Sequence, residues 1–166
     1  MEFEKYVAAR GPALERYAYV LSGDPHQAQD LVQTALVKAY RRWRWVVRAD
    51  HPDAYVRRIL TTSYLDTRRR HRTEHPLDDV PDVASTGRFA DPADRVAARD
   101  ELQRALATLS PHQRAVVVLR HYEGQDDPVI ARILGCGEAT VRAHASRGLQ
   151  RLRDALDPTH LAGGQR

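Results

Sequence analysis

Cysteine occurs once in this 166-residue chain, at Cys136. A single thiol excludes an intramolecular disulfide framework and any zinc site built on several cysteines. Lysine is nearly as scarce, since among 26 basic residues only Lys5 and Lys38 are not arginine. No uninterrupted apolar run approaches the length that crosses a bilayer, and the opening MEFEKYVAAR carries no apolar h-region. The expectation is a cytoplasmic protein without membrane insertion. A Walker-type glycine loop and an HExxH motif are also missing, and the eight histidines are scattered rather than clustered with acids. No cofactor, no metal and no enzymatic activity are therefore expected. What remains is 42% hydrophobic residues, enough to fill one medium domain or two small helical ones, and a formal charge of +4. Arginine-dominated positive charge suits a polyanionic partner.

Helix starts are marked by a repeated device, a small polar cap followed by proline, whose missing N–H leaves nothing unsatisfied in a first turn. It occurs at Asp24-Pro25, Asp91-Pro92, Ser110-Pro111 and Asp127-Pro128, with a variant at Asp50-His51-Pro52. Two further helices follow from pattern, Glu2 to about Leu21 closed by Ser22-Gly23, and the run after Gly137 closed by Asp157-Pro158. Sustained period-two alternation is missing, and Val116 to Val118 sit inside a helical period. The fold class is all-α. The stretch TEHPLDDVPDVASTGRFA, residues 73–90, has three breakers, four acids and no apolar stripe, and reads as a flexible linker. Two small helical domains result, 1–72 and 91–157, with a short tail at 158–166. Each domain ends in basic charge, the first in Arg68 to Arg72.

On the helix DPHQAQDLVQTALVKAYRRW, Ala28, Leu31, Val32, Ala35, Leu36, Ala39, Tyr40 and Trp43 share one face at i, i+3, i+4 spacing and read as core. The opposite stripe, Asp30, Gln33, Thr34, Val37 and Arg41, reads either as a solvated face or as a docking surface for a partner helix. Next comes RWRWVVRAD, tryptophan interleaved with arginine. Rings stack on unpaired bases while guanidiniums hold phosphates, although Trp43 belongs to the apolar face and only Trp45 is an exposed stacker. On the third helix Val56, Ile59, Leu60 and Ser63 are expected inward, with Arg57, Arg58, Thr61 and Thr62 on the flanks. In the second half a short helix, the turn Gly135-Cys136-Gly137 and a longer helix make a helix-turn-helix. Val141, Ala145, Leu149, Leu152 and Leu156 form the expected buried stripe of the longer helix. Arg142, Ala143, Ser146, Arg147 and Gln150 face outward, where a recognition helix meets base edges. A salt-bridged surface helix would need acids, and this one has only Glu138 and Asp154. His144 reads as a surface histidine, with a phosphate contact as the alternative. Cys136 reads as a small apolar turn residue, with a redox switch as the alternative.

Four stretches stand in a telling order: DLVQTALVKAYRRW (30–43), DAYVRRIL…YLDTRRRHR (53–72), LSPHQRAVVVLRHYEG (109–124) and IARILGCGEATVRAHASRGLQRLR (130–153). The set resembles the extracytoplasmic-function sigma factors, of an actinobacterial-type subgroup, across nearly the whole chain. The resemblance implies a region 2-like domain at 1–72 and a region 4-like domain at 91–157. Bacterial core RNA polymerase and promoter DNA are the implied partners, and an anti-sigma factor is left open. It implies polymerase docking through Asp30, Gln33, Thr34, Val37 and Arg41. Minus-ten recognition and melting would fall to Trp45, Arg48, Asp50, His51, Arg57, Arg58 and Thr61, with Arg68, Arg69 and Arg70 on phosphates. Minus-thirty-five reading would fall to Thr140, Arg142, Ala143, Ser146, Arg147 and Arg151.

Two departures qualify the match. Thr34 stands where the family often has glutamate, so docking leans on Asp30 and Gln33. Ala143 and Ser146 are small, so base reading rests on Arg142 and Arg147. A stand-alone helix-turn-helix regulator is the competing reading. That function would call for a self-complementary apolar seam or ligand cavity in the first half, in place of its docking stripe and its tryptophan-arginine run.

Overall fold

The computed structural model describes residues 1–49, 51–74 and 93–161. Among them every regular element is helical, and no helix is long and apolar enough to cross a membrane. Contacts divide the chain into two compact units, Met1–Pro76 and Leu77–Arg166.

In the first unit α1 (Phe3–Ser22), α2 (Pro25–Arg41), the single turn α3 (Trp43–Val46) and α4 (Pro52–Glu74) follow one another. Asp24 caps α2 as its spacing predicts, its Oδ1 accepting from His26 N at 2.8 Å and Gln27 N at 2.9 Å, with Pro25 completing the first turn. α2 packs on both α1 and α4 through Ala28, Leu31, Val32, Ala35 and Ala39, against Leu14, Tyr17, Leu21, Val56 and Leu60. Three of those five α2 residues are alanines, so the helix backbones approach closely. The expected core face was too broad. Leu36 is only half-buried and Tyr40 is 61% exposed, because both stand at the edge of the stripe that α1 and α4 cover, and Trp43, half-buried, lies beyond the end of α2 at Arg41. Trp43 turns onto α1, donating its indole N–H to the Met1 carbonyl at 3.1 Å and packing edge-on to Phe3 at 5.2 Å between ring centres. α4 runs to Glu74, two residues into the stretch read as linker. Residues 75–90 and the start signal Asp91-Pro92 lie outside the described residues.

The second unit contains α5 (Ala93–Ala107), α6 (Pro111–Val117), a π-helical turn (Val118–Tyr122), α7 (Asp127–Leu134), α8 (Glu138–Leu156) and the short α9 (Pro158–Leu161). Ser110 opens α6 with a reciprocal capping box, Gln113 N to Ser110 Oγ and Ser110 N to Gln113 Oε1, both at 3.2 Å. α7 starts one residue earlier than the proline signal implies. Asp126 is the cap, because the Asp127 carboxylate turns instead to Arg120 at 3.0 Å. Gly135 ends α7 at φ 65, a left-handed conformation that a side chain would strain, and the Cys136 amide donates to the Ala131 carbonyl at 3.1 Å. Cys136 itself is half-buried in that turn.

α8 packs against α5, α6 and α7. Its buried stripe is Val141, Ala145, Gly148 and Leu152, so the expected positions Leu149 and Leu156 are displaced toward solvent. Gly148 explains the rotation. A Cβ built there would lie 2.8 Å from Val117 Cγ2 and 3.5 Å from the Gln113 carbonyl oxygen, so α6 crosses where α8 has no side chain. Near the same crossing His144, half-buried, stacks on His112 of α6 at 5.7 Å and 26°. Its Nδ1 is buried without a hydrogen-bond partner. The expectation of a surface histidine is thereby corrected, since α6 covers this flank.

Gly148→Ala is expected to destabilise the second unit by a net ~1 kcal/mol, because overpacking against the stiff Val117 outweighs the helix propensity that alanine adds. Thermal melts of Gly148→Ala alone and combined with Val117→Ala check this; additive losses would show that no clash exists. His144 supplies a pH prediction. Burial, then the proximity of His112 and Arg147, holds its imidazole pKa below the ordinary 6.5. The unfolded chain therefore takes up a proton that the folded state refuses, and stability is lost as pH falls below about 6.5. His144→Gln should flatten the fall in melting temperature between about pH 5 and 7, and an unchanged slope would place the effect elsewhere.

Candidate nucleic-acid interface

Three surfaces emerge from these packings. The first is the outward side of α2. Asp30, Gln33, Thr34, Val37 and Arg41 are all exposed, Val37 by 53%. Tyr40 joins them although its apolar character assigned it to the core; its ring lies 5.0 Å from Phe3 and offers its other side to solvent. Tyr40 lies inside α2 in register with Leu36, so its period gives no sign of this, and residues 39–46 carry no proline or glycine to mark the break that follows at Arg42. Beside the stripe, Asp30 and Thr34 also line a groove of about 370 Å³ shared with Ser63, Thr67 and Arg68 of α4.

The second surface follows from the same break. With Trp43 anchored to α1, Trp45 stands 73% exposed and the Arg48 guanidinium sits 5.9 Å above its ring centre. Arg41, Arg42, Trp45, Val46, Ala49 and Tyr55 enclose an open basin of about 480 Å³. An aromatic floor edged by guanidiniums has the chemistry to stack a base and neutralise its phosphate. Arg42 belongs to the tryptophan-arginine run singled out in the sequence, whereas Tyr55 was missed there because it lies on α4 and meets that run only after folding. His51 is exposed but does not line the basin, and Asp50 lies outside the described residues.

Not every residue expected here reaches solvent. Thr61 is fully buried, its Oγ1 2.6 Å from the Tyr17 hydroxyl and donating to the Arg57 carbonyl at 2.8 Å. It is a core residue, because it shares the inward face of α4 with Arg57, Leu60 and Tyr64 at i, i+3, i+4 spacing, and a buried hydroxyl needs a partner. Arg57 is likewise turned inward. Its guanidinium pairs with Asp53, leaving the side chain 16% exposed. Asp53 also accepts from Arg10 at 2.6 and 3.2 Å and from the Tyr6 hydroxyl at 3.0 Å. Burial pushes the Tyr6 phenol up, with Arg57 and Arg10 opposing, so it remains a donor at neutral pH. Arg58, Arg69 and Arg70 are exposed and Arg68 is half-exposed; Arg69 has a loose contact with Asp66 at 3.5 Å.

The third surface is α8. Thr140, Arg142, Ser146, Arg147 and Arg151 are exposed, and Ala143 is half-buried. The two acids of the helix do little to neutralise it. Glu138 lies 3.9 Å from Arg142 with both side chains more than half exposed, a geometry worth at most ~1 kcal/mol, and Asp154 is used by Gln150 at 3.1 Å. Arg151 makes one long contact, 3.4 Å to the Thr108 carbonyl. Among the described residues no group of three or more His, Cys, Asp and Glu is arranged to hold a metal ion.

Residues 6–74 match the family described as Sigma-70 region 2, and residues 99–152 match Sigma-70, region 4. Over 162 residues the chain is 39% identical to the RNA polymerase sigma-E factor of Streptomyces avermitilis, covering 97% of this chain and 88% of that protein. It is 32% identical to the ECF RNA polymerase sigma factor SigL of Mycobacterium tuberculosis, covering 86% of this chain and 82% of that one. Among solved structures it is similar to the sigma factor RpoE of Bartonella quintana, crystallised with the anti-sigma factor NepR, with a TM-score of 0.74, 25% identity and 98% of each chain covered. Both halves are matched in order, with relatives similar along most of their length, and the chain belongs to the extracytoplasmic-function RNA polymerase sigma factors.

Proposed function

We propose that this protein is an alternative sigma factor that binds core RNA polymerase and directs initiation at promoters carrying its own minus-ten and minus-thirty-five elements. The observation that carries the reading is the pairing, in one chain, of a docking stripe beside an aromatic-arginine basin with a separate helix-turn-helix unit whose outward face is arginine. A duplex-binding regulator has no use for the first. The protein catalyses no reaction in this role, and it works in the cytoplasm with the polymerase.

We assign the first unit, with 1–72 as its extent, to polymerase docking and minus-ten recognition. The exposed α2 stripe, with Tyr40 added, is the docking surface; apolar Val37 and Tyr40 supply burial and Asp30 and Gln33 supply direction. The basin around Trp45 receives an unpaired base, for which stacking contributes ~1–3 kcal/mol. Arg58 and the Arg68 to Arg70 cluster hold phosphates and position the strand without reading it. Thr61 and Arg57 leave the DNA-contacting set, since one is core and the other is occupied by Asp53. We assign 91–157 to minus-thirty-five recognition through Arg142 and Arg147, with Thr140, Ser146 and Arg151 on the backbone. The complex of the related RpoE with NepR supports an anti-sigma partner for this chain as well.

The test is binding of the purified chain to sigma-free core polymerase, followed by transcription from a fragment library of the host genome. Tight binding with new promoter-specific transcripts is expected; affinity for duplex DNA without polymerase binding would replace this reading with the stand-alone regulator. Asp30→Arg should abolish polymerase binding while leaving the thermal melt unchanged, and normal binding by that variant would remove α2 from the docking surface. Arg142→Ala should lose ~1–3 kcal/mol on the cognate minus-thirty-five element and little on unrelated duplexes, because a bidentate contact to a base is sequence-dependent. An equal loss on every sequence, read by competition binding, would make it a phosphate contact.

A further inference from the structure

We infer that Asp53 is a positioning residue for promoter opening: clasped by Tyr6, Arg10 and Arg57, it holds the first turn of α4 so that the basin between Trp45 and Tyr55 stands ready for an unpaired base. The inference rests on the reading of that basin given above.

Four contacts converge on one carboxylate. Arg10 grips both oxygens, Nη2 to Oδ2 at 2.6 Å and Nε to Oδ1 at 3.2 Å; Tyr6 donates to Oδ1 at 3.0 Å; and Arg57 approaches Oδ2 one turn along α4. Charge-assisted, bidentate contacts of this kind are the directional ones, and here they tie α1 to the second residue of α4. Most of the apolar core lies away from them. Leu14, Tyr17, Leu21, Val56 and Leu60 are fully buried further along the same helices, and the Tyr17–Thr61 hydrogen bond joins α1 to α4 there. The clasp reaches from that core to its edge, Tyr6 being 1% exposed, while the Arg57, Asp53 and Arg10 side chains are 16%, 21% and 48% exposed.

What hangs on that edge is the basin. Tyr55, two residues beyond Asp53, lines it, and the Tyr55 amide reaches back to the His51 carbonyl at a long 3.3 Å. Ala49, just before the α4 segment, lines it as well. The opposite wall, Arg42 to Val46, is fixed separately by Trp43 on α1. α1 is therefore the common base of both walls, Trp43 fastening one and Asp53 the other. A pocket whose walls must be ordered anew at each encounter binds more weakly, because the loop entropy is then lost on binding. The clasp also accounts for Arg57, a guanidinium on a chain built to bind polyanions that is nonetheless turned inward.

The test uses holoenzyme assembled from the full chain and core polymerase, on a promoter recovered from the transcription experiment. Asp53→Asn keeps the shape and a hydrogen bond but removes the charge. Its affinity for a fork template with a single-stranded minus-ten element should fall about tenfold, the equivalent of leaving about one backbone residue to be ordered on binding. Affinity for core polymerase and for the minus-thirty-five duplex should stay within about twofold. Permanganate reactivity of the opened region should appear at higher temperature, and Asp53→Glu should recover most of the loss. Arg10→Gln, a surface change that leaves the Asp53–Arg57 pair in place, should move the same readouts in the same direction by less. Unchanged fork binding in Asp53→Asn overturns the inference, as do equal losses on polymerase, fork and duplex, which would make Asp53 a stability residue only. If wild-type holoenzyme fails to assemble or transcribe, the fault lies in the proposed function instead.

Discussion

Small side chains at helix crossings are the constraint on which both units rest. In the first, Ala28, Ala35 and Ala39 let α2 lie close to α1 and α4. In the second, Ala145 and Gly148 let α8 lie close to α6. Close crossing has a consequence for function in each case. A helix that meets its neighbours through a narrow stripe of small residues keeps the rest of its circumference for other uses. α2 presents Asp30 to Arg41 outward from one side, and α8 presents Arg142, Ser146 and Arg147 in the same way. Larger residues in those stripes would have widened the core, leaving less of each helix for partners.

The distribution of acids follows a second logic. Asp53 holds the start of α4 against α1, and Asp127 holds the start of α7 against Arg120. Each lies in the first turn of a helix, where a negative charge also meets the positive end of the helix dipole. The acids on α8, by contrast, are weakly engaged and leave its arginine face positive. Carboxylates thus serve as internal fasteners at two helix starts, while guanidiniums on α8 and at the end of α4 remain exposed to a polyanion.

Where reading the sequence fell short, the reason was partner geometry. Thr61 and Arg57 follow a helical period that permits either a flank or an inward position, and the choice was made by Tyr17 on α1 and by Asp53 one turn back. Tyr40 is apolar enough for the core, yet it stands at the edge of the stripe that α1 and α4 cover, while Trp43, past the helix end, finds Phe3, Tyr6 and the Met1 carbonyl. Leu149 and Leu156 fit the apolar period of α8 better than Gly148 does, but a Cβ at position 148 would meet Val117 Cγ2 at 2.8 Å. The π-helical turn at Val118–Tyr122 has no composition signal at all, since valine and leucine are as much at home in the α-helix that precedes it.

Local chemistry determined what could be known from the sequence by itself. Caps and prolines at Asp24-Pro25 and Ser110-Pro111, the left-handed glycine at Gly135, the apolar period of α2 and the four ordered motifs depend on neighbours within a few residues, and each is written in the chain. They settle the all-helical class, the helix-turn-helix, the family, and the exposed stripes on α2 and α8. Tertiary structure alone decided which arginines remain available and where a base can be received. Those are questions of which distant side chains meet: Arg57 with Asp53, Trp43 with α1, Tyr55 with Trp45. Such meetings are set by how helices cross, and the crossing is set by side-chain volume at a few contact points rather than by the period of any one helix.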